Sequence, residues 1–148
     1  MSKTYKLAMD FKRKYPSTIA WRIKSHCDVI DKHLDSDEDI LYVFLGQKNR
    51  SSFDFMNTNV VVLTSKRLMV ATKRLAFGYF FKSITLDMFN DLSVKQNLLW
   101  GRVIVDTVNE KICLSNVSKK ALGEIETKIT DFTVKNDKKK KEKVSKKK

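Results

Sequence analysis

Few residues of this 148-residue chain have the types and spacing that chemistry needs. The two histidines, His26 and His33, are seven positions apart. On a helix that spacing puts them on one face but about 10 Å apart along the axis, too far to share an ion. No acidic cluster at ligand spacing accompanies them, so no metal site is expected. The two cysteines, Cys27 and Cys113, form no metal-type pair. Cys27 falls on an apolar helical stripe and Cys113 inside a strand pattern, which marks both as reduced core thiols. No nucleophile, base and orienting acid can be grouped, and no pair of acids stands out. Catalytic residues, cofactors and a small-molecule substrate are therefore not expected.

Positive charge is what the chain has in quantity, at a net +13. Most of it lies at the ends. The C-terminal segment 135–148 carries Lys135 and a run made of Lys138, Lys139, Lys140, Lys141, Lys143, Lys146, Lys147 and Lys148, against only Asp137 and Glu142. Such a run binds polyanions by counterion release or by attraction to anionic lipid, and either effect weakens with salt. Within the body, Lys48, Arg50, Lys73 and Arg74 fall in two polar loops, and an up-and-down strand order would bring those loops to one end. Four cations converging there would hold a phosphate or an acidic peptide. Leu98, Leu99 and Trp100 precede Gly101 in another loop. Exposed, they would be a membrane wedge or a partner anchor, but they are expected to fold back over the body.

The elements that must position these residues are read from periodicity. The stretch VVVLTSKRLMVATK, from Val60 to Lys73, is two apolar, β-branched runs around a polar interruption, which is hairpin punctuation. Its central residues include neither Gly nor Asn, so a type I turn or a bulged loop is expected, tied down by the Thr64 hydroxyl. Pro16-Ser17-Thr18 reads as a helix start, and Ile19, Ile23, Cys27, Ile30 and Leu34 recur at helical spacing, giving a helix over 17–34. The preceding segment 1–16 is basic and unpatterned and reads as a flexible arm. Strands follow at Ile40–Gly46, Tyr79–Thr85, Phe89–Gln96, Arg102–Thr107 and Lys111–Ser115; Val103, Val105 and Thr107 point one way and Arg102, Ile104 and Asp106 the other. The period then changes. Ser118 is a fitting N-cap, and Ala121, Leu122, Ile125, Ile129 and Phe132 make one apolar helical stripe interrupted by Gly123, which would allow close packing on a strand. Beyond Val134, in segment 135–148, no apolar face remains and the tail is expected to be disordered. No run approaches the ~18 apolar residues of a membrane span, and Met1–Phe11 holds no signal-type apolar core. A cytoplasmic location is expected.

A helix, a run of antiparallel strands and a closing helix, with the acidic DEDIL lead-in, Leu63-Thr64 and Lys66-Arg67-Leu68 at the hairpin, Ile84-Thr85-Leu86-Asp87, and Asn116-Val117 before the last helix, resemble the bacterial pleckstrin-homology-like (PH-like) domains of the YokE type. The resemblance covers residues 34–134. It implies a mainly β fold: a bent seven-stranded antiparallel barrel closed by a C-terminal helix, here preceded by an N-terminal helix. It also implies a non-enzymatic binding or adaptor module recognising a protein or peptide. The basic termini would add association with an anionic membrane surface. The competing reading is a nucleic-acid-associated protein gripping the phosphate backbone non-specifically through arm and tail.

Overall fold

Residues 1–48 and 57–146 are described by the computed structural model. In chain order the elements are α1 (Lys3–Lys14), α2 (Ile23–His33), β1 (Ile40–Lys48), β2 (Thr58–Thr64), β3 (Arg67–Lys73), β4 (Tyr79–Thr85), β5 (Phe89–Gln96), β6 (Gly101–Thr107), β7 (Lys111–Val117) and α3 (Leu122–Lys146). The seven strands form one antiparallel sheet ordered β4-β3-β2-β1-β7-β6-β5. Two meanders meet at β1 and β7, which among the described residues pair at Gln47 with Ser115 and Lys48 with Leu114. Below that junction they diverge.

The central hairpin forms as its sequence requires. Val60 to Leu63 pair with Ala71 to Leu68, and all seven residues of β2 are buried. The turn at Ser65-Lys66 has no positive φ among its residues. Instead the Thr64 hydroxyl accepts from the Lys66 and Arg67 amides, each at 3.1 Å, the hydroxyl-capped turn expected of this sequence. In β6 burial alternates strictly, with Val103, Val105 and Thr107 buried. The closing helix buries Leu122, Ile125 and Ile129, and the turn before it buries Ala121.

The N-terminal elements depart from the sequence reading in two ways. Segment 1–16 is mostly helix rather than a flexible arm: Ser2 caps the Tyr5 amide, and Ala8 and Phe11 are buried. Phe11 packs its ring 6.4 Å from those of both Tyr42 and Phe44, so α1 fills the gap where β1 leaves β7. The second helix begins at Ile23, not Ser17, because Ser17 and Thr18 belong to a turn and residues 19–22 cross strand ends without regular structure, Arg22 being left-handed at φ 52°. Its buried face, His26, Cys27, Val29 and Ile30, covers the outer side of β2 and β3. At the other terminus α3 continues to Lys146, so the tail extends the helix where disorder was expected. Lysine and glutamate are good helix formers, extension from an anchored turn costs little, and cations suit a helix C-terminus. Lys147 and Lys148 lie outside the described residues.

One ionic cluster locks the acidic link between α2 and β1 to the hairpin. Glu38, its side chain fully buried, accepts from Arg67 Nε and Nη2, both at 3.0 Å, from the Thr64 hydroxyl and from the Asp35 amide. Arg67 also reaches the His33 carbonyl at 2.7 Å, binding the end of α2 into the same knot. Burial alone would raise the Glu38 carboxyl, but the hydrogen bonds from Arg67, Thr64 and Asp35 outweigh it and bring its pKa to about 2.

Two outcomes follow. A Cβ on Gly101 would meet the Leu122 side chain at 2.6 Å, whereas one on exposed Gly123 meets nothing within 4 Å. The close approach expected at Gly123 therefore occurs at Gly101. Gly101→Ala should lower stability by about 1–3 kcal/mol, while Gly123→Ala should raise it by up to about 1 kcal/mol; urea midpoints that move alike would contradict the packing. The second outcome concerns acid. Because folding lowers the Glu38 pKa from 4.5 to about 2, its contribution is complete above pH 4.5 and is lost as pH falls towards 2. That contribution is roughly 3 kcal/mol. In Glu38→Gln, this part of the pH dependence of unfolding should disappear.

Candidate functional site

Strand direction sorts the loops. Every neighbouring pair is antiparallel, β1 with β7 included, so the β1–β2, β3–β4 and β6–β7 loops leave in one direction and the β5–β6 loop in the other. The segment 17–22 crosses the sheet where the two meanders meet, at the paired ends of β1 and β7. The Ser17 carbonyl accepts from Trp100 Nε1 (2.9 Å), and the Ile19 amide donates to the Asn116 carbonyl of β7 (3.0 Å). Further along, the Ile19 carbonyl accepts from Gln47 Nε2 of β1 (2.9 Å) and the Trp21 amide donates to Thr58 Oγ1 of β2 (3.0 Å). Arg22 Nη1 then reaches the Lys73 carbonyl of β3 (3.1 Å). Buried Gln47 and Thr58 are bonded to each other as well (2.6 Å). The segment is thus stitched to four strands in turn, which is why it is not helix.

His26 completes the stitching. It is buried, not half-exposed as an ordinary surface histidine would be; its Nδ1 accepts the Lys73 amide (2.8 Å), so the ring proton sits on Nε2 and points at the Trp21 carbonyl (3.0 Å). Burial, with Arg22 nearby, lowers its pKa to about 4. His33 lies at the other end of the same face of α2, its Nδ1 donating to the Val29 carbonyl and its ring stacked on Phe81 at 3.9 Å. Among the described residues no three His, Cys, Asp or Glu side chains group as metal ligands. Cys27 is buried and its thiol is pushed up to about 12, mainly by burial and then by Asp31 and Asp28, so it is no nucleophile at neutral pH.

The four-cation rim does not assemble. Lys48 lays its ammonium 3.4 Å from the Phe80 ring centroid, and burial lowers its pKa. Lys73 instead lines a cavity of about 170 Å³ with Arg22, Asp28, Lys32 and Tyr79 under α2. Tyr79 and Phe80 are adjacent on β4 and so point to opposite faces, which puts Lys48 and Lys73 on opposite sides of the sheet. Arg74 is exposed in the β3–β4 loop, its amide on the Gly78 carbonyl at 3.1 Å. Arg50 lies outside the described residues.

The apolar tip divides. Trp100 folds back onto Ser17 as expected, but Leu98 and Leu99 do not: they are 86% and 65% exposed. Beside them a cleft of about 400 Å³ is edged by Lys14, Lys119 and Lys120. A second tip escaped the sequence reading. Leu75 and Phe77 in the β3–β4 loop are 68% and 88% exposed, following exposed Arg74 in the chain. Two large apolar residues beside Gly78 in a loop were the available signal. Of the tail, Lys141 is exposed, while the side chains of Lys138, Lys139, Lys140, Lys143 and Lys146 lie outside the described set, as do Lys147 and Lys148 entirely.

A further surface lies beside α3. Among the described residues β5 pairs with β6 alone, and between it and α3 runs a groove of about 270 Å³ whose walls include Asn90, Asp91 and Leu92 on the strand and Ile129, Thr130 and Asp137 on the helix. Residues 34–131 match the bacterial PH domain family. The chain belongs to it. No curated protein matches this PH domain protein. Its sheet is similar to a crystal structure of a pleckstrin homology domain from Shewanella amazonensis SB2B, at 15% identity and a TM-score of 0.48 over 72% of this chain and 83% of that one. It is also similar to a DUF1696 family protein with a pleckstrin-homology domain from Shewanella loihica PV-4, at 16% identity and 0.47 over 72% and 91%. In the PH domain protein, no described helix is long and apolar enough to cross a membrane.

The buried histidine gives a pH dependence at this end of the domain. Folding lowers the His26 pKa from 6.5 to about 4, so its neutral-state contribution is complete above pH 6.5 and is lost as pH falls to 4. Unfolding free energy should therefore drop across this window by roughly 3 kcal/mol. His26→Gln should flatten that drop and leave the lower, Glu38 window intact; urea melts at stepped pH separate the two.

Proposed function

We propose that this PH domain, which we place with the YokE-type members, is a non-enzymatic cytoplasmic binding module that recognises an extended segment of a protein. Its basic termini associate with anionic surfaces. The observation that carries the reading is the free edge of β5 beside the α3 groove. An edge strand offers unpaired amides and carbonyls at a regular spacing, and an extended peptide satisfies them by adding a strand. Here the groove supplies side-chain contacts to such a peptide: Leu92 and Ile129 are apolar, while Asp91 and Asp137 favour a cationic residue. The other sheet edge, β4, faces the cover of α2, with Phe81 under His33, and has no comparable groove among the described residues.

Selection from a random peptide library on the full-length chain should yield extended, basic sequences. Their binding should protect β5 amides from hydrogen exchange, and Asp91→Lys combined with Asp137→Lys should weaken it at least tenfold. Peptides that protect other strands and leave β5 exchanging would sink the reading.

A further inference from the structure

The cleft of about 400 Å³ at the β5–β6 loop has walls from three separate parts of the chain: residues 14–17 at the end of α1, the hairpin tip Leu98-Leu99, and residues 118–120 in the turn that leads into α3. Each wall is pinned. The Pro16 and Thr18 carbonyls accept from Lys12 Nζ at 2.8 and 2.6 Å, the Ser17 carbonyl accepts from Trp100 Nε1 at 2.9 Å, and the Ser118 amide donates to Thr18 Oγ1 at 2.9 Å. The fold itself builds this cleft, and a ligand entering it pays little to order its walls.

The hairpin tip breaks a local rule. The Asn97 amide donates to the Trp100 carbonyl at 2.8 Å and Gln96 pairs with Gly101, so Leu98 and Leu99 are the two central residues of a tight turn. Such positions favour Gly, Asn and Asp, whose backbone freedom and short polar side chains suit them. Here both are leucines, exposed, and the hydrophobic core is complete without them. The charge of the cleft is also unexplained by the fold. Lys14, Lys119 and Lys120 line it and no acidic residue does. Lys14 has its counterion in Glu124 at 2.7 Å, but among the described residues Lys119 and Lys120 have none. Both stand in the turn before α3, where the helix field disfavours cations.

Leucines left in water beside lysines left without acids complement a ligand that is both apolar and anionic. The lysines line a concavity, which a protruding chain can enter and a flat bilayer cannot, and a nucleic-acid backbone offers the leucines no apolar group. We propose that this cleft docks an acidic segment of a partner protein, with one large apolar side chain packed against Leu98, Leu99 and Pro16 and with carboxylates on Lys119 and Lys120. The proposal goes beyond the β5 groove, where Asp91 and Asp137 attract a cationic segment, so the two sites select ligands of opposite sign. One wall belongs to α1, which precedes the family match at residue 34, so the site is not a property of the PH barrel alone.

Synthetic peptides test this on the full-length chain. The probe is a short dye-labelled peptide of glutamates around a central Leu-Phe pair, compared with one in which glutamine replaces every glutamate and one in which serine replaces the apolar pair. In Trp21→Phe, Trp100 is the sole tryptophan and reports from the foot of the hairpin tip. The acidic peptide should bind and change Trp100 emission, and both altered peptides should bind about tenfold or more weakly. Leu98→Asn/Leu99→Gly places turn-favoured residues at exposed positions; it should keep the wild-type melting temperature and weaken acidic-peptide binding by about tenfold or more. Lys119→Glu/Lys120→Glu should weaken it likewise, while Lys111→Glu/Lys128→Glu, exposed elsewhere and equal in net charge, should not. All these variants keep the lysine tail, so equal losses in the two charge variants would assign binding to diffuse charge and overturn the proposal. Anionic vesicles or duplex DNA that change Trp100 emission as the peptide does would overturn it too. So would self-association that Lys119→Glu/Lys120→Glu abolishes in a chain that binds no peptide, since the cleft would then serve a second copy. A basic peptide at β5 should bind every cleft variant as it binds wild type; its failure to bind any of them, wild type included, would count against the groove and not against the cleft.

Discussion

A strand with apolar residues on both faces has to be covered twice, and β2 imposes that demand on the whole chain. All of Thr58 to Thr64 is buried, with Val61 and Leu63 on one face and Val60 and Val62 on the other. The curled sheet and α3 cover the first face. Nothing within a seven-stranded meander can cover the second, so the chain supplies α2, with Cys27 and Ile30 at 0% exposure. Burying a Val or Leu side chain is worth about 1.5–3 kcal/mol, so a β2 left open on its outer face would cost more than most domains have to spare. The family match begins at residue 34, after α2 has ended. The two N-terminal helices therefore lie outside the family match, and the buried outer face explains why the fold needs them.

Covering a sheet with a helix creates a second problem, that of fixing the helix's position, and the protein solves it with polar groups at both ends of α2. At the C-terminal end Arg67 joins the His33 carbonyl to Glu38. At the N-terminal end His26 joins the Trp21 carbonyl to the Lys73 amide. Each knot is buried and has its main donors and acceptors matched, which makes its position well defined and its loss costly. The two titrate in opposite senses for the same outcome: the carboxylate must stay charged and the imidazole neutral, so acid undoes both, the histidine first.

How much of this could be read beforehand depends on whether the cause was local. β4 and β5 were legible to their end residues, and the hairpin to its last residue but two residues short at Thr58, because alternation and turn chemistry are properties of short windows; Thr64 announces its own turn. The apolar stripe from Ala121 to Phe132 was legible for the same reason. Segment 17–22 was not. Pro16-Ser17-Thr18 looks like a helix start, and only the ends of four strands, contributed from residues 47 to 116, turn the segment after it into an irregular strap. Arg22 shows the cost, with φ at 52° in the left-handed region that an arginine rarely adopts. The basic rim failed for a related reason. Loop order does place Lys48 and Lys73 at one end, but side-chain parity sends them to opposite faces, and parity is set by pairing register that a single strand does not display. Exposure is the least local property of all. Leu98 and Phe77 are apolar in sequence, and only the completed fold shows that nothing covers them.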